Sequence, residues 1–331
     1  MNLSSPFASG GGGEHFEAHV QALFVVLMLT GGYVPCLPCW PIAELRLQGR
    51  IDGFDTDDVI VIVEENQTRE RRKLLGQVKY PISIRPGNPV FGKVIQAAWN
   101  DFNDPEVFSR GKDIIALMTG PLSGVDQRNV QWLLNQARHT KTVDEFLRNV
   151  KQANFSPSKS YDKLEVFRHH LRLANGGQEV SEDDLYSFLN HFYILSYDLG
   201  NEDGVVLSLM YSHMSQFQQQ YPQQLWSRVV DIVQTWNQDG GTITLENLPE
   251  DVIDAFKQRR LDQIPGKFTI TQEVKRTDWV QHPDVTYLAL ANLVGGWKEN
   301  NDADIAVTRE MLGIEYETWL HKAREILHCP D

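Results

Sequence analysis

The stretch DDVIVIVEENQTRERRKLLGQVKY, residues 57–80, decides how the chain folds. Its first part, DDVIVIVE, is a β-branched run of the kind that fits a pleated, buried surface. A polar connection, ENQTRERRK, leads to LLGQVKY, a second apolar run. The link is short, so the two strands pair as an antiparallel hairpin. Side chains alternate across a strand, which places Asp58, Ile60 and Ile62 on one face and Leu75, Gln77 and Lys79 on one face of the neighbour. If those faces meet, a carboxylate, an amide and an ammonium gather at one end of the sheet. A buried lysine is costly without an anionic partner, so the pattern asks what Lys79 is for.

Working outward, Phe16, Val20, Leu23, Phe24 and Leu27 recur at helical spacing, which predicts a helix from about Glu14 to Leu29. TGGYVPCLPCWP then ends it with helix-breaking Gly and Pro. ELRLQGRI (44–51) alternates like a strand, NPVFGKVIQAAWNDF (88–102) reads as a helix, and DIIALMTGPLS (113–123) is a fourth strand. Helix, three strands, helix, strand is an α/β class with a mixed-sheet core. Residues 126–260 read as mostly helical, with FYILSYDL (192–199) as an isolated strand. The resulting division is a core domain over 1–155, a helical domain over 156–262 and a helical linker region over 263–331. In the last, KFTIT reads as a strand, followed by helices over 284–297, 303–312 and 315–327.

With 331 residues, 41% hydrophobic and 23% charged, the chain can bury a sizeable core. Its formal charge of −13 excludes non-specific coating of nucleic acid through the bulk field, and leaves only local basic patches for such contacts. Cys36, Cys39 and Cys329 form no disulfide framework and fit a reducing, cytoplasmic setting. The most apolar run, ALFVVLML (22–29), is far shorter than a membrane span needs, so no membrane partner is expected. The amino terminus has no basic segment and no signal-peptide pattern. IPGKFT (264–269) lacks the spacing of a phosphate-binding loop.

The chemistry at the sheet end is that of a metal-assisted phosphodiester cut. A carboxylate and an amide oxygen are hard ligands that suit Mg²⁺ (or Mn²⁺), and Glu17 on the first helix could supply a second carboxylate. The metal would polarise a phosphate and activate a water, and Lys79 would orient that water or offset charge on phosphorus. The ordinary alternative is an aspartate pair that merely starts a strand, with Lys79 extending to water from an edge. Asp58 is preferred to Asp57 because it abuts the apolar run. The basic run Arg69, Arg71, Arg72 and Lys73 reads equally as a loop that grips DNA phosphates beside the site or as charge that ends an edge strand. CLPC (36–39) reads as buried thiols, His15 and His19 as a solvated or substrate-facing helix edge, and Arg168–Arg172 as a solvated basic face.

GEHFE around Glu17, DDVIVIV around Asp58 and GQVKY around Gln77 and Lys79, in that order, resemble the PD-(D/E)XK nuclease superfamily. More narrowly they are similar to the Mrr-like and Cap-type nuclease domains at the amino termini of bacterial antiphage proteins. Gln77 stands where Asp or Glu is usual, a variant that occurs in Mrr-like members. The resemblance implies a restriction-endonuclease-like core that cuts double-stranded DNA. Lys79, Gln77, Asp58 and Glu17 would be its catalytic set, with Asp58, Gln77 and Glu17 on the metal. GKDIIALMTGPLS, SFLNHFYILSYDL, LWSRVVDIV and LENLP resemble the helical segment of antiviral STAND proteins. That likeness implies a homo-oligomer held inactive until an NTPase or sensor module, in the same or a partner chain, brings copies together. Leu225, Trp226, Val229, Val230, Trp236, Leu288 and Trp297 could supply a self-association face, but for most of them the favoured reading is that they fill the chain's own core. The competing expectation is a nuclease-like scaffold without catalysis that serves protein–protein assembly.

Overall fold

The computed structural model describes residues 11–257, apart from 153–155, 202, 218–220 and 239. The helices expected at 284–297, 303–312 and 315–327, the KFTIT strand and the 263–331 linker region lie outside the described residues.

The long first helix, α1 (Gly11–Thr30), is apolar nearly all round, so it must be covered on more than one side. It leads to β1 (Ile42–Leu47), a 3-10 turn (Gly49–Asp52), β2 (Val59–Glu64) and β3 (Arg71–Val78). Then come α2 (Pro89–Asn103), β4 (Ile114–Thr119), α3 (Gly124–His139), α4 (Val143–Lys151), α5 (Ser160–Ala174) and α6 (Glu182–His191). The chain returns to the sheet as β5 (Phe192–Ser196) and, after α7 (Val205–Met214) and α8 (Pro222–Gln238), as β6 (Thr242–Ile243), before α9 (Glu250–Phe256).

Among the described residues this is a mixed six-stranded sheet in the order β5-β4-β3-β2-β1-β6. The β1–β2, β2–β3 and β1–β6 pairs are antiparallel, and β3–β4 and β4–β5 are parallel. Every residue of β2 and β4 is buried, because helices cover both faces. Val59, Val61, Val63, Leu74 and Met118 pack with α1, α7, α8 and α9. Ile60, Ile62, Leu75, Ile115 and Leu117 pack with α2 through α6. Gly76 is required where β3 lies between its two neighbour strands, since a Cβ there would lie 2.8 Å from both Val59 Cγ1 of β2 and Met118 Cε of β4.

Two expectations are corrected. FYILSYDL is not isolated: β5 pairs with β4 from Ile115↔Phe192 to Thr119↔Ser196. The boundary expected at residue 155 does not separate two units, because β5 and β6 extend the sheet at its two edges and the described residues belong to one compact unit. Helical periodicity signals α3 to α6 and α8 strongly, whereas a five-residue and a two-residue strand carry little local signal. On α8, Trp226, Val229 and Val230 are buried in the core, with Leu225 and Trp236 packed against it. The core reading thus holds for Trp226, Val229 and Val230, while Leu225 and Trp236 stay partly exposed.

A chain ended at residue 155 loses α5, α6, β5, α8 and β6, and exposes both faces of the sheet. It should show no cooperative thermal transition by circular dichroism, whereas a chain ended at residue 257 should retain one.

Candidate functional site

The β2–β3 register, Val59↔Gly76 and Ile60↔Leu75, carries one step further to set Asp58 opposite Gln77. Asp58 Oδ2 there accepts from Gln77 Nε2 at 2.5 Å, from the Val78 backbone N–H at 2.6 Å and from Lys79 Nζ at 2.8 Å. Lys79 directly follows β3, an interior strand and not an edge, and its N–H is bonded to Met118 O of β4 at 3.0 Å. Its side chain is 33% exposed, against 10% for that of Asp58, so the pair sits at the rim of the sheet with the lysine outermost. The Tyr80 ring stacks on Phe16 of α1 with centroids 5.0 Å apart. It lies so close over Gly120 that any side chain there would clash.

Glu17 reaches the same sheet end from α1. Gln21, one helical turn on, is fully buried, and its Nε2 lies 2.8 Å from Asp58 O and 3.2 Å from Glu17 Oε1. Glu17 Oε1 also accepts from Gln48 Nε2 at 3.1 Å and from Asn237 Nδ2 at 3.1 Å. Burial, and then the charge of Asp58, push the Glu17 carboxyl up to about 7; the Asn237 bond, Lys79 and Gln21 pull the other way. Asp57 turns aside to Arg50 at 3.3 Å, and burial followed by the Asp58 charge raises its carboxyl above the usual range. Asp58 takes both Gln77 and Lys79 on one oxygen, while the Gln77 amide also reaches the Asp57 carboxyl and works against its upward shift.

The donor pattern leaves three oxygens over. Among the described residues, Asp58 Oδ1, Glu17 Oε2 and Gln77 Oε1 accept no hydrogen bond. None of the three is among the buried polar atoms left without a partner. Two carboxylate oxygens and one amide oxygen form a hard donor set that fits Mg²⁺ or Mn²⁺. Among the described residues no group of three or more His, Cys, Asp or Glu side chains is poised for a metal, so the amide is needed to reach three protein ligands. Gln48 and Asn237 escape a reading of the sequence. They lie 189 residues apart and carry no motif; only the positive φ of Gln48, visible in the backbone, marks it.

The hairpin cations are not at this site. Arg71 to Lys73 begin β3, whereas Gln77 and Lys79 end it, about 20 Å away at roughly 3.3 Å per residue. They are also already paired. Arg69 and Arg71 hold Glu64 at 2.8 and 2.6 Å, Arg72 holds Glu70 at 3.2 Å and lies over Trp40, and Lys73 holds Asp113 at 3.5 Å. The expected place of this basic run beside the site is therefore corrected: it lies at the far end of β3, ion-paired with neighbouring carboxylates.

The remaining candidates fall apart. His19 donates from Nδ1 to Leu199 O at 3.2 Å and abuts Trp226, and burial, with His15 beside it, lowers its pKa to about 4. Cys36 and Cys39 are exposed, not buried. Arg168 is bound to Glu182 by two bonds of 2.6 and 2.7 Å, and His170 is buried against Arg85 O, so the 168–172 basic face is largely spent.

No family model matches the chain, and no curated protein matches it in sequence. Among solved structures, it is similar to the Cap4 SAVED/CARF-domain receptor of Acinetobacter baumannii with the cyclic trinucleotide 3'3'3'-cAAA, at 10% identity and a TM-score of 0.38. The Cap4 SAVED/CARF-domain receptor of Moraxella osloensis gives 14% identity and a TM-score of 0.36. Each match covers 71% of this chain and 45% of the other, so the chain spans less than half the length of either. Likeness at this level carries no conclusion about function. No helix among the described residues is long and apolar enough to cross a membrane.

Two outcomes follow from this geometry. The Glu17 carboxyl is raised from 4.5 to about 7, so the folded state keeps a proton that the unfolded state gives up. The contribution of Glu17 to stability is therefore full below about 4.5, falls as pH rises to about 7 and is lowest above it. Glu17→Gln should melt higher than wild type at pH 8 in EDTA, with the gap shrinking steadily toward pH 4.5 in a calorimetric series. Replacing Arg69, Arg71, Arg72 and Lys73 together by alanine should leave the salt slope of any DNA binding unchanged in a fluorescence anisotropy titration.

Proposed function

We propose that this chain is a divalent-metal-dependent deoxyribonuclease that hydrolyses phosphodiester bonds of double-stranded DNA. One observation carries the reading. Glu17, Asp58, Gln77 and Lys79, from α1, the start of β2 and the end of β3, meet at one sheet end. There Glu17, Asp58 and Gln77 each keep one oxygen that accepts no hydrogen bond among the described residues. Glu17 Oε2, Asp58 Oδ1 and Gln77 Oε1 would hold Mg²⁺ or Mn²⁺. When bound, the ion supplies a polarised phosphate and a more acidic water.

The chain's own groups do the rest. The three donors on Asp58 Oδ2 fix that carboxylate so that Oδ1 is the oxygen presented. The amides on Glu17 Oε1 do the same for Oε2. Lys79, the outermost member, carries positive charge to the rim, where it can orient a water or offset charge on a phosphate oxygen. The sequence resemblance to antiphage nucleases supports a role for this activity in antiphage defence, with copies of the chain brought together by a sensor module. A second reading, a nuclease-like scaffold without catalysis, draws on the same Asp58 network. Its three bonds satisfy Oδ2 without any ligand and knit β2 to β3 as a structural clasp would.

Supercoiled plasmid with Mg²⁺, with Mn²⁺ and with EDTA separates the two. Wild type should nick and linearise the plasmid with metal and not with EDTA, and Lys79→Ala should lower the rate by at least about 100-fold. Asp58→Asn should do likewise. It is a cleaner probe than Asp58→Ala, which strands the Gln77 and Val78 donors at a cost of about 1–3 kcal/mol. Wild-type cleavage by either variant, or none by wild type with copies held together on a multivalent support, would leave the scaffold.

A further inference from the structure

Glu17 is held by residues that lie far from it in the chain and that no nuclease motif contains. Gln48 Nε2 has two hydrogens and two acceptors, Glu17 Oε1 at 3.1 Å and Asn237 Oδ1 at 3.0 Å. Asn237 Nδ2 completes the ring with Glu17 Oε1 at 3.1 Å. The three side chains thus close a cycle in which one carboxylate oxygen takes two amide donors and the two amides are tied to each other. Gln21 touches the cycle from below, 3.1 Å from Asn237 Oδ1 and 2.8 Å from Asp58 O.

The backbone is committed to this arrangement. Gln48 sits at φ 54 and ψ 52, a left-handed conformation that glycine adopts at no steric cost and glutamine does not. Its side chain makes no cap bond to the following turn, so local capping does not explain why glutamine is there. Strain of this kind persists where surrounding structure imposes it, and it concentrates at functional sites. Asn237 comes from the last turn of α8, and the segment after it is fastened to Gln48's own neighbourhood. Leu47 N–H donates to Gly241 O at 3.0 Å, and a Cβ on Gly240 would strike Ile51 Cδ1 at 2.4 Å. Three separate segments (α1, the β1 turn and the end of α8) therefore converge on one carboxylate oxygen.

We infer that Gln48 and Asn237 are positioning residues that lock Glu17 Oε1 and so aim Glu17 Oε2 at the metal-binding oxygens of Asp58 and Gln77. The inference rests on the metal-dependent reading proposed above. It also means that the site is incomplete without α8, more than 200 residues downstream of Glu17. Residues that orient a metal ligand from behind typically govern metal affinity by about 10- to 100-fold.

The test uses the full chain without DNA and titrates Mn²⁺ alone, read by the electron paramagnetic resonance signal of free Mn²⁺, beside thermal melts in EDTA. Gln48→Gly is the informative variant, because it relieves the left-handed strain while removing the amide. It should melt at or above the wild-type temperature yet bind Mn²⁺ about 10- to 100-fold more weakly. Asn237→Leu should weaken Mn²⁺ to a similar degree. If wild type binds Mn²⁺ and both variants bind within twofold of it, the positioning role is overturned and the nuclease reading stands. If wild type binds no Mn²⁺, the metal-dependent reading fails and this inference fails with it.

Discussion

The three bonds to Asp58 Oδ2 are the constraint on which the site depends. Asp58 precedes β2, and Gln77, Val78 and Lys79 close β3, so the bonds clamp the start of one interior strand to the end of its neighbour. A buried carboxylate at this depth needs such donors to be tolerated at all. Meeting that need with two side chains and a backbone N–H fixes the rotamer of every group involved. A rigid constellation at the sheet end is the result, whether or not chemistry follows.

Around that clamp the fold works from both faces. Asp58 and Gln77 share the face of Ile60 and Leu75, which packs against α2 to α6, whereas Glu17 arrives on α1 from the other face. The site therefore wraps around the end of the sheet. Anything that moves α1 relative to β3 moves Glu17 relative to Asp58. The packing of α8 against α1, through contacts such as His19 with Trp226 at 5.6 Å, links the carboxy-terminal part of the described chain to that geometry. The strongly acidic net charge acts in the same direction. Carboxylates neutralise the hairpin cations at the far end, while the site end keeps two carboxylates at close quarters, and the raised Glu17 carboxyl records their repulsion together with burial.

The hairpin of residues 57–80 was legible because local physics and tertiary structure agree there. β-branched residues, a short polar link and strict alternation leave one register in which Ile60 and Leu75 face the same core, and that register brings Asp58 to Gln77 without further information. The first helix was legible for a similar reason, since its apolar residues could only be buried. Glu17 was legible through its place in a motif, not through anything local to the helix. The order helix, three strands, helix, strand follows from periodicities that no later contact overrides.

What the tertiary structure alone decided is every relation between segments distant in sequence. β5 and β6 are too short to announce their partners, and they pair because the open edges of the sheet offer unpaired backbone groups. The hairpin cations looked like a phosphate grip because a sequence shows their sum and not the acids that the fold sets against them, such as Asp113, which follows Lys73 by 40 residues. Gln48 and Asn237 are ordinary polar residues until three chain segments meet at Glu17. A hydrogen bond depends on position and direction, which the chain acquires only on folding, so residue types and spacing determined the strand pair and its acid, amide and lysine, and folding chose the groups that hold them.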